Sequence, residues 1–339
     1  MKMNVLYQFN DAYAPYAGVS MVSLFENNKD IEHLHIFVIA DQLSQQNTDQ
    51  LQNTALDYNR KISFLNPQNI IQQMKNLGIP QYRGAYTTNM KLFLPEILDL
   101  TDGRILYIDS DTLIVSSLKA LATLDMHNLP IAMAYDSLGQ THARQIGHGL
   151  HDPYFNAGVI LFDIKKWHQE KCTQRIIDHV KQIRAHYIAP DQDLLNVVLK
   201  NEIAVLPPEY NLQPIHARYT ASLYPRALAS QTYYSDAILS RAATAPVILH
   251  FFRFLGEFPW DVHSLHPYRE IFEHYQAQSR WYNHPKTVPL QGGIIFRIER
   301  ILYRILPDRL FLLIFRLGYE GFIRKCSADS KKGKNNRFM

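Results

Sequence analysis

Two aspartates at the end of an apolar segment are the residues best suited to do chemistry. Asp109 and Asp111 follow the segment Arg104–Ile108, so the pattern predicts two neighbouring carboxylates where a buried strand ends. Such a pair is costly unless a cation lies between the carboxylates, and a divalent metal would serve. Paired aspartates are also common as ordinary turn and cap residues at strand ends. The motif alone leaves both interpretations open.

Three other short motifs also have a structural and a functional interpretation. Asn156, in YFNAG, offers a donor and an acceptor suited to a sugar hydroxyl, whereas the nearby Gly158 could relieve a tight turn. Residues 191–193 (DQD) open a predicted helix, where acidic side chains either cap the first turn or point at a substrate. His250 ends the apolar segment VILH and is either structural or a metal ligand.

The elements around these motifs predict an α/β protein. The predicted strands are Asn4–Phe9, Leu34–Ala40, Lys61–Leu65, Arg104–Ile108, Ile131–Tyr135, Gly158–Asp163 and Pro246–Phe251. The predicted helices are Ala17–Glu26, Asp41–Asn59, Thr87–Leu98 (broken near Pro95), Cys172–Ala185 and Asp191–Lys200. The strand, helix, strand order at the start is typical of a parallel sheet. Ligands of such sheets bind beyond the carboxyl ends of the strands, which is where Asp109 and Asp111 are expected.

Composition restricts the class of protein. The 339 residues are 47% hydrophobic and 12% aromatic, which is sufficient for a packed core and argues against disorder. The two cysteines, Cys172 and Cys326, match no disulfide or zinc pattern and favour a reducing compartment. No segment approaches the roughly 18 apolar residues of a membrane span, and the N-terminus lacks the apolar region of a signal peptide. We expect a globular cytoplasmic protein that begins near Met1.

Basic residues are concentrated in the C-terminal segment. Residues 286–339 contain 12 Lys and Arg against 4 Asp and Glu, whereas the rest of the chain contains 23 against 27. A basic segment attached to a mildly acidic body predicts an anionic partner, either a membrane surface or nucleic acid.

The same segment has the periodicity of an amphipathic helix that ends at Pro307. Its apolar stripe consists of Ile294, Ile295, Ile298, Ile301, Leu302, Ile305 and Leu306, and its basic side of Arg297, Arg300 and Arg304. A second apolar stretch, Leu310 to Leu317, follows, and then a polar end with Lys331, Lys332, Lys334 and Arg337 that we expect to be disordered. The pattern predicts a helix lying in an anionic membrane interface, although a helix packed on the body is the alternative.

Five motifs in this order resemble glycosyltransferase family 8, which includes bacterial lipopolysaccharide glucosyl- and galactosyltransferases and glycogenin. They are FNDAYAPY, LYIDSD, YFNAGV, DQDLLN and HF followed by G-x-x-P-W, and they cover about residues 4–270. The resemblance implies a GT-A nucleotide-sugar-binding fold with a mainly parallel central sheet flanked by helices. It also implies a UDP-sugar donor, Mn²⁺ or Mg²⁺, and retention of the anomeric configuration.

The resemblance further implies a metal site and a nucleotide site. Asp109, Asp111 and His250 would hold the metal, completed by the diphosphate of UDP. Carboxylate oxygens and one imidazole suit a mid-row divalent ion, which would neutralise charge on the leaving group. Asn10 and Asp11, at the end of the first strand, match the pair that contacts uracil and ribose.

Five further positions match residues near the transferred sugar. Lys91 corresponds to a residue near the donor phosphates or sugar, and Asp136 and Asn156 to residues that contact sugars. Asp191 and Gln192 match the pair around the hexose, with Gln192 near the anomeric carbon. Because an amide is a poor nucleophile, front-face attack is favoured, while Asp191 is the nearest candidate for a covalent intermediate.

The chain departs from the family pattern at three positions. Asn10 stands where the family commonly has Asp, and Lys91 stands where it usually has Arg, which exchanges a fork-shaped donor for a point charge. In HFFRFLGEFPW, Phe258 occupies the position of a usual Lys. Binding of the diphosphate would then require another cation, and Arg253 is the nearest in sequence.

We expect residues 1–275 to form the catalytic domain and residues 276–339 a basic helical tail. The predicted reaction transfers glucose or galactose from its UDP-sugar to a lipopolysaccharide or lipooligosaccharide core on the cytoplasmic face of the cell membrane, with no nucleic-acid partner. A nucleotidyltransferase would need a basic, glycine-rich phosphate loop, but NDAYAPYAGV has no Lys or Arg. A membrane-bound sugar-binding scaffold without catalysis is favoured only by the departures at Asn10 and Phe258.

Overall fold

The computed structural model describes residues 1–79, 81, 86–98, 100–183, 187–219, 223, 231–252, 255, 257–288 and 294–331. The strands are β1 (Lys2–Asn10), β2 (His33–Asp41), β3 (Lys61–Leu65), β4 (Arg104–Asp109), β5 (Thr112–Ile114), β6 (Ile131–Tyr135), β7 (Phe155–Asp163), β8 (Ile203–Val205) and β9 (Ile248–His250). The α-helices are α1 (Ala14–Glu26), α2 (Gln45–Asp57), α3 (Gln68–Leu77), α4 (Leu94–Leu98), α5 (Gly139–Gln145), α6 (Ile164–Gln169), α7 (Cys172–Gln182), α8 (Pro190–Val198), α9 (Pro214–Arg218), α10 (Asp236–Thr244), α11 (Arg269–Gln278), α12 (Ile294–Ile305) and α13 (Asp308–Lys331).

The central sheet has seven strands among the described residues, in the order β3-β2-β1-β4-β7-β6-β8. Its pairings are parallel except at β7, which runs antiparallel to both β4 and β6. The inner strands are apolar because helices cover both faces of the sheet, and Val5, Leu6 and Tyr7 of β1 are fully buried. The expected mainly parallel sheet flanked by helices is confirmed.

Helix α1 shows how closely the layers pack, because its residues from Ala14 to Phe25 are all buried. A Cβ at Gly18 would lie 1.9 Å from the ring of Trp281, so only glycine leaves room for that ring against the helix. The indole of Trp281 donates a hydrogen bond to Asn47 Oδ1 of α2 at 3.2 Å. The chain after α11 is thus part of the core.

Most predicted elements are present, with ends shifted by a few residues. Strand β7 begins at Phe155 and not at Gly158, so Asn156 and Gly158 lie within a strand and Gly158 does not form a turn. The helix predicted over Thr87–Leu98 is wrong for most of its length, because Thr87–Phe93 forms 3-10 turns that bury Asn89 and Lys91. Only Leu94–Leu98 is α-helical, and Pro95 lies in its first turn, where proline breaks nothing.

The tail helices α12 and α13 pack on the body along one face. Leu302 of α12 and Leu306 directly after it, with Phe311 and Leu312 of α13, contact a cluster that contains Ile215, Tyr219 and Leu255. Arg218 donates to the hydroxyl of Tyr303 at 2.8 Å and pairs with Asp308 at 3.1 Å. The packed-helix alternative is therefore confirmed for this face. Among the described residues, no helix has the length and apolar character needed to span a bilayer.

The other face of the tail is exposed and apolar. Ile294, Ile298, Ile301 and Ile305 of α12 are 74%, 50%, 56% and 67% exposed. Leu310, Leu313 and Leu317 of α13 are also exposed. The single predicted stripe thus divides into an outer edge and a packed edge that includes Leu302 and Leu306. The expected domain boundary at residue 275 falls within α11, which continues to Gln278, and the polar end at 332–339 lies outside the described residues.

Candidate active site

A cavity of about 780 Å³ opens at one edge of the central sheet. Strands β1, β4 and β6 end at this edge, whereas the antiparallel β7 begins there. This arrangement brings together residues that are far apart in the sequence. Nine of the eleven predicted site residues line the cavity: Asn10, Lys91, Asp109, Asp111, Asp136, Asn156, Asp191, Gln192 and His250.

Asp109, Asp111 and His250 form a group able to hold a metal ion, as predicted. One ligand atom of each lies within 4.8 Å of the others. Nε2 of His250 is 3.9 Å from Asp109 Oδ2 and 3.6 Å from Asp111 Oδ1. Strand β4 carries Asp109, the following turn carries Asp111, and β9 pairs with β5 so that His250 lies opposite Thr112. The short strand β5 thus holds the imidazole over the carboxylates.

A chain of hydrogen bonds fixes the orientation of His250. The Asp136 carboxylate accepts from Asn156 Nδ2 at 3.0 Å, which leaves Asn156 Oδ1 to accept from Asn211 Nδ2 at 2.9 Å. Asn211 Oδ1 therefore faces His250 Nδ1, at 2.9 Å, and Nδ1 must donate. The Nε2 atom is the one that faces the carboxylates. An outer hydrogen bond of this kind is the usual support of a metal-ligating histidine, so the donor set fits a divalent ion.

Gly158 is required by the position of this imidazole. A Cβ built at Gly158 would lie 2.1 Å from His250 Cε1 and 2.8 Å from both ring nitrogens. No side chain fits between the strand and the ring. The glycine of YFNAGV therefore allows the His250 ring to pack directly against β7, and it does not form a turn.

Lys91 lies beneath the carboxylates and connects two of them. It is 1% exposed, and its Nζ lies 2.8 Å from Asp191 Oδ2, 3.5 Å from Asp109 Oδ1 and 3.1 Å from the carbonyl oxygen of Ala157. The ring of Tyr107 lies 4.2 Å below Nζ, and the Tyr107 hydroxyl donates to Asp109. All three ammonium hydrogens are therefore directed at protein atoms. Lys91 positions Asp109 and Asp191 within the cavity lining.

The cluster carries more negative than positive charge, and the pKa values of its members reflect this. Burial raises the pKa of Asp109, and the charge of Asp111 adds to that effect although Lys91 opposes it. Burial also acts to raise the pKa of Asp111, but the hydrogen bond with His250 outweighs it and the pKa is lowered. Burial acts to lower the pKa of His250, yet Asp111 and Asp109 raise it overall. A divalent cation would relieve this excess of negative charge.

Gln192 is held by both polar atoms of its amide. Its Oε1 accepts from the backbone N–H of Ala157 at 2.9 Å, and its Nε2 donates to Asp136 Oδ2 at 3.2 Å. Asp136 thus orients both Gln192 and Asn156. Asp193, the third residue of DQD, accepts from the N–H of Ala189 at 2.9 Å and from the Tyr154 hydroxyl at 2.5 Å, so its role is structural.

Two predicted residues are not part of the described cavity. Asp11 accepts from the N–H of Ser44 at 2.8 Å and from Asn47 Nδ2 at 2.9 Å, and these hydrogen bonds lower its pKa. The structure therefore directs Asp11 to the start of α2 and does not bring it into the cavity lining. Arg253 lies outside the described residues. Phe258 lines the cavity and stacks on Trp260 with ring centroids 4.6 Å apart.

Sequence reasoning missed three polar residues that belong to the site. Gln8 lies opposite Asp109 in the sheet, and both Gln8 and Thr87 line the cavity with a buried side-chain oxygen that lacks a hydrogen-bond partner among the described residues. Both oxygens can accept from a ligand. A glutamine near the end of the mostly apolar strand segment NVLYQF is the signal that the sequence offers. No sequence signal points to Asn211, because its partners His250 and Asn156 are distant from it in the sequence.

The tail forms an apolar part of the cavity lining. We call six of its residues the tail wall: Phe296, Leu302, Phe311, Phe315, Tyr319 and Phe322. Leu138, Phe252 and Leu255 of the body continue this surface. The cavity therefore has a polar, charged floor and an apolar wall.

Comparisons with known proteins identify the family and the fold. The profile of Glycosyl transferase family 8 matches residues 4–262. General stress protein A of Bacillus subtilis (strain 168) is 24% identical over 282 residues, which cover 82% of this chain and 94% of that protein. The lipopolysaccharide 1,2-glucosyltransferase of Escherichia coli (strain K12) is 29% identical over 214 residues, which cover 62% of each protein and so less than two thirds of that relative.

The fold is similar to that of the galactosyltransferase LgtC, solved in complex with donor and acceptor sugar analogs. The TM-score is 0.65 at 22% sequence identity, and the match covers 85% of this chain and 98% of that one. This likeness confirms the predicted GT-A fold. Because the family profile spans most of the chain, from the first strand to the segment after Trp260, the chain belongs to glycosyl transferase family 8.

Proposed function

We propose that the protein is a retaining hexosyltransferase that moves glucose or galactose from a UDP-sugar to a lipid-linked saccharide of the lipopolysaccharide or lipooligosaccharide type. The observation that carries the proposal is the group of Asp109, Asp111 and His250 on the cavity floor, in a chain of this family. The lipopolysaccharide glucosyltransferase among the relatives supports the acceptor class. The same relative supports glucose as one of the two donors.

Mn²⁺ is the proposed metal, with Mg²⁺ as the alternative. Two carboxylates and one imidazole favour a mid-row divalent ion such as Mn²⁺ over Mg²⁺, because Mg²⁺ prefers ligands that are all oxygen atoms. A bound divalent ion stabilises the negative charge that accumulates on a departing diphosphate. Asn211 would hold the His250 ring in the orientation needed to bind the metal. Lys91 would hold the Asp109 carboxylate in position beside it.

The proposed chemistry is front-face substitution at the anomeric carbon. The acceptor oxygen forms its bond to that carbon as the bond to the phosphate oxygen breaks, and the hydroxyl proton passes to the departing phosphate. Gln192, held by Ala157 and Asp136, would lie beside the sugar, where its amide can bind but is a poor nucleophile. The ion pair with Lys91 makes Asp191 a positioning carboxylate and reduces its strength as a nucleophile.

Three residues are proposed to serve the nucleotide site, two by direct contact and one by support. Asn10 would contact uracil from the end of β1, where it lines the cavity with its side chain exposed. Asp11 would act from behind it, by holding the start of α2 in place. Arg253 would supply the cation that Phe258 does not, toward the diphosphate.

We further propose that residues 276–339 attach the catalytic domain to the inner face of the cell membrane. The exposed isoleucines of α12 and leucines of α13 form an apolar surface, and Arg297, Arg304 and Arg309 are exposed on the same helices. Apolar burial and attraction to anionic lipid, about 1 kcal/mol for each basic residue near the surface, would act together.

A panel of UDP-sugars tests the reaction. With Mn²⁺ present, we expect hydrolysis of UDP-glucose or UDP-galactose in preference to UDP-N-acetylhexosamines, and loss of hydrolysis in excess chelator. A chain that binds these sugars without hydrolysing any of them would support the sugar-binding scaffold instead. Release of pyrophosphate from UTP and a sugar 1-phosphate would support the nucleotidyltransferase.

A further inference from the structure

We propose that the tail wall binds the hydrocarbon part of an amphiphilic acceptor, and that the chain of this acceptor leaves the cavity through the exposed apolar face of the tail. This inference rests on the proposed hexosyl transfer and adds the location of the acceptor's lipid. The tail would then form half of the substrate site, in addition to any attachment it provides.

The composition of the wall supports a hydrocarbon ligand. The tail contributes eleven described residues to the cavity lining, and among them Glu299 alone is charged and Tyr319 alone has a hydroxyl group. A free saccharide presents hydroxyl groups on every side and requires polar partners, which the floor offers and the wall does not. Removing an alkyl chain from water is favourable in proportion to the apolar area buried, and the wall provides that area.

The wall is continuous with the outer face of the tail. Ile298, Ile314 and Phe322 line the cavity and are also 50%, 39% and 37% exposed. The outer residues Ile301, Leu313 and Leu317 lie on the same two helices. A chain bound along the wall can therefore reach a lipid surface without crossing a polar barrier.

A row of aromatic rings leads from the wall toward the catalytic floor. Along α13 the ring centroids of Phe311 and Phe315 are 6.1 Å apart, and those of Phe315 and Tyr319 are 6.0 Å apart. The Tyr319 hydroxyl lies 2.9 Å from His142 Nε2, and the His142 ring stacks on Tyr154 at 5.5 Å. Tyr154 is bonded to Asp193 of α8, the helix that carries Asp191 and Gln192. Phe311, Phe315, Tyr319 and His142 line the cavity, so an acceptor held along these rings would have its saccharide end toward the floor.

Calorimetric titration with two glucosides tests the proposal. Octyl β-D-glucopyranoside, kept below its critical micelle concentration, and methyl β-D-glucopyranoside are each titrated into the full chain in the presence of UDP and Mn²⁺. We expect the octyl glucoside to bind at least tenfold more tightly. Equal affinity, or no binding of the octyl glucoside, would overturn the inference.

Matched variants locate the bound chain. Phe296→Ser and Phe322→Ser alter the wall, whereas Leu313→Ser and Leu317→Ser alter only the outer face. We expect the wall variants to lose most of the preference for the octyl chain and the outer variants to keep it. An equal loss in the outer variants would mean that the chain lies on the surface and not in the cavity.

Failure of the acceptor-site proposal can be distinguished from failure of the proposed hexosyl transfer. Hydrolysis of UDP-hexose without any preference for the octyl glucoside would refute the acceptor site alone. Absence of hydrolysis and transfer with every UDP-sugar would refute the hexosyltransferase, whatever the glucosides do.

Discussion

The cavity floor and the tail wall differ in how their side chains are held. On the floor, His250 is oriented through Asn211 and Asn156, and Lys91 is directed at Asp109 and Asp191 by short polar contacts. On the wall, only Tyr319 has such a polar contact, with His142, among the contacts described above, whereas Phe311 and Phe315 are held by apolar contacts with the body. Hydrogen bonds fix direction, whereas apolar packing fixes only distance and volume.

This difference suits two tasks. The charge that develops in the transition state is stabilised by groups that are already oriented. A small displacement of a floor residue therefore lowers the rate strongly. A hydrocarbon has no directional requirement, so the wall can change in sequence while it keeps its apolar area. We therefore expect single substitutions to cost much more activity on the floor than on the wall.

The largest effect is expected at the carboxylates of the floor. Asp109→Ala or Asp111→Ala should lower turnover several hundredfold, on the order of 4 kcal/mol in barrier, because each change removes a metal ligand. The matched control is Asp125→Ala, since Asp125 is 78% exposed and is not part of the cavity lining. UDP-hexose hydrolysis measures the effect, and near-normal turnover in both site variants would contradict the assignment.

A smaller but still large effect is expected at Gly158. Alanine there would place a Cβ 2.1 Å from the His250 ring, so the imidazole must move away from Asp111. We expect turnover to fall roughly 10- to 100-fold, about 1.4 to 2.7 kcal/mol, with partial recovery at higher Mn²⁺ concentration. Gly149→Ala is the control, because its added Cβ comes no closer than 3.5 Å to a neighbour, Asp152. Unchanged activity and Mn²⁺ dependence in Gly158→Ala would show that His250 is not a ligand.

The smallest effect is expected on the wall side, at Glu299. Burial and the nearby Glu257 carboxylate raise the pKa of Glu299 to about 7, so the ionised group destabilises the folded state. Its destabilising effect grows as pH rises from its ordinary pKa of 4.5 to about 7 and is complete above that. Glu299→Gln should therefore raise Tm by about 1–2 °C at pH 8 and leave it unchanged below pH 4.5.

Glu320→Gln is the control for this shift. Glu320 lies on the same tail but pairs with Arg316 at 3.0 Å, so its loss should not raise Tm at pH 8. An equal gain in both variants would trace the effect to the net charge of the tail and not to burial of Glu299.

The strands could largely be predicted from the sequence because they depend on local patterns, whereas the roles of the floor residues came from the resemblance to the family. Apolar runs mark buried strands, and polar residues at their ends mark the binding edge. The spacing of Thr87–Phe93 predicts a helix, whereas the segment forms 3-10 turns that bury Asn89 and Lys91. Asn211 escaped notice because its partners are distant in the chain.

The tail could be predicted only in part. Periodicity predicts an amphipathic helix that ends at Pro307, and α12 ends at Ile305, just before that proline. Periodicity does not say what covers each face of the helix. Leu302 and Leu306 pack on the body, whereas Ile298 and Ile301, in the same predicted stripe, are exposed. Leu302 lines the cavity because of the way in which α12 and α13 pack together on the body. No local sequence pattern predicts that packing.

Manganese binding tests the central claim most directly, because it measures the floor without requiring an acceptor. Mn²⁺ is titrated into the chain with UDP present, for the unaltered protein and for Asp111→Asn, which keeps the shape of the side chain but removes its charge. The account predicts one bound Mn²⁺ per chain, held at least tenfold more weakly by the variant. Equal affinity in both proteins, or UDP-hexose hydrolysis that continues in excess chelator, would contradict it.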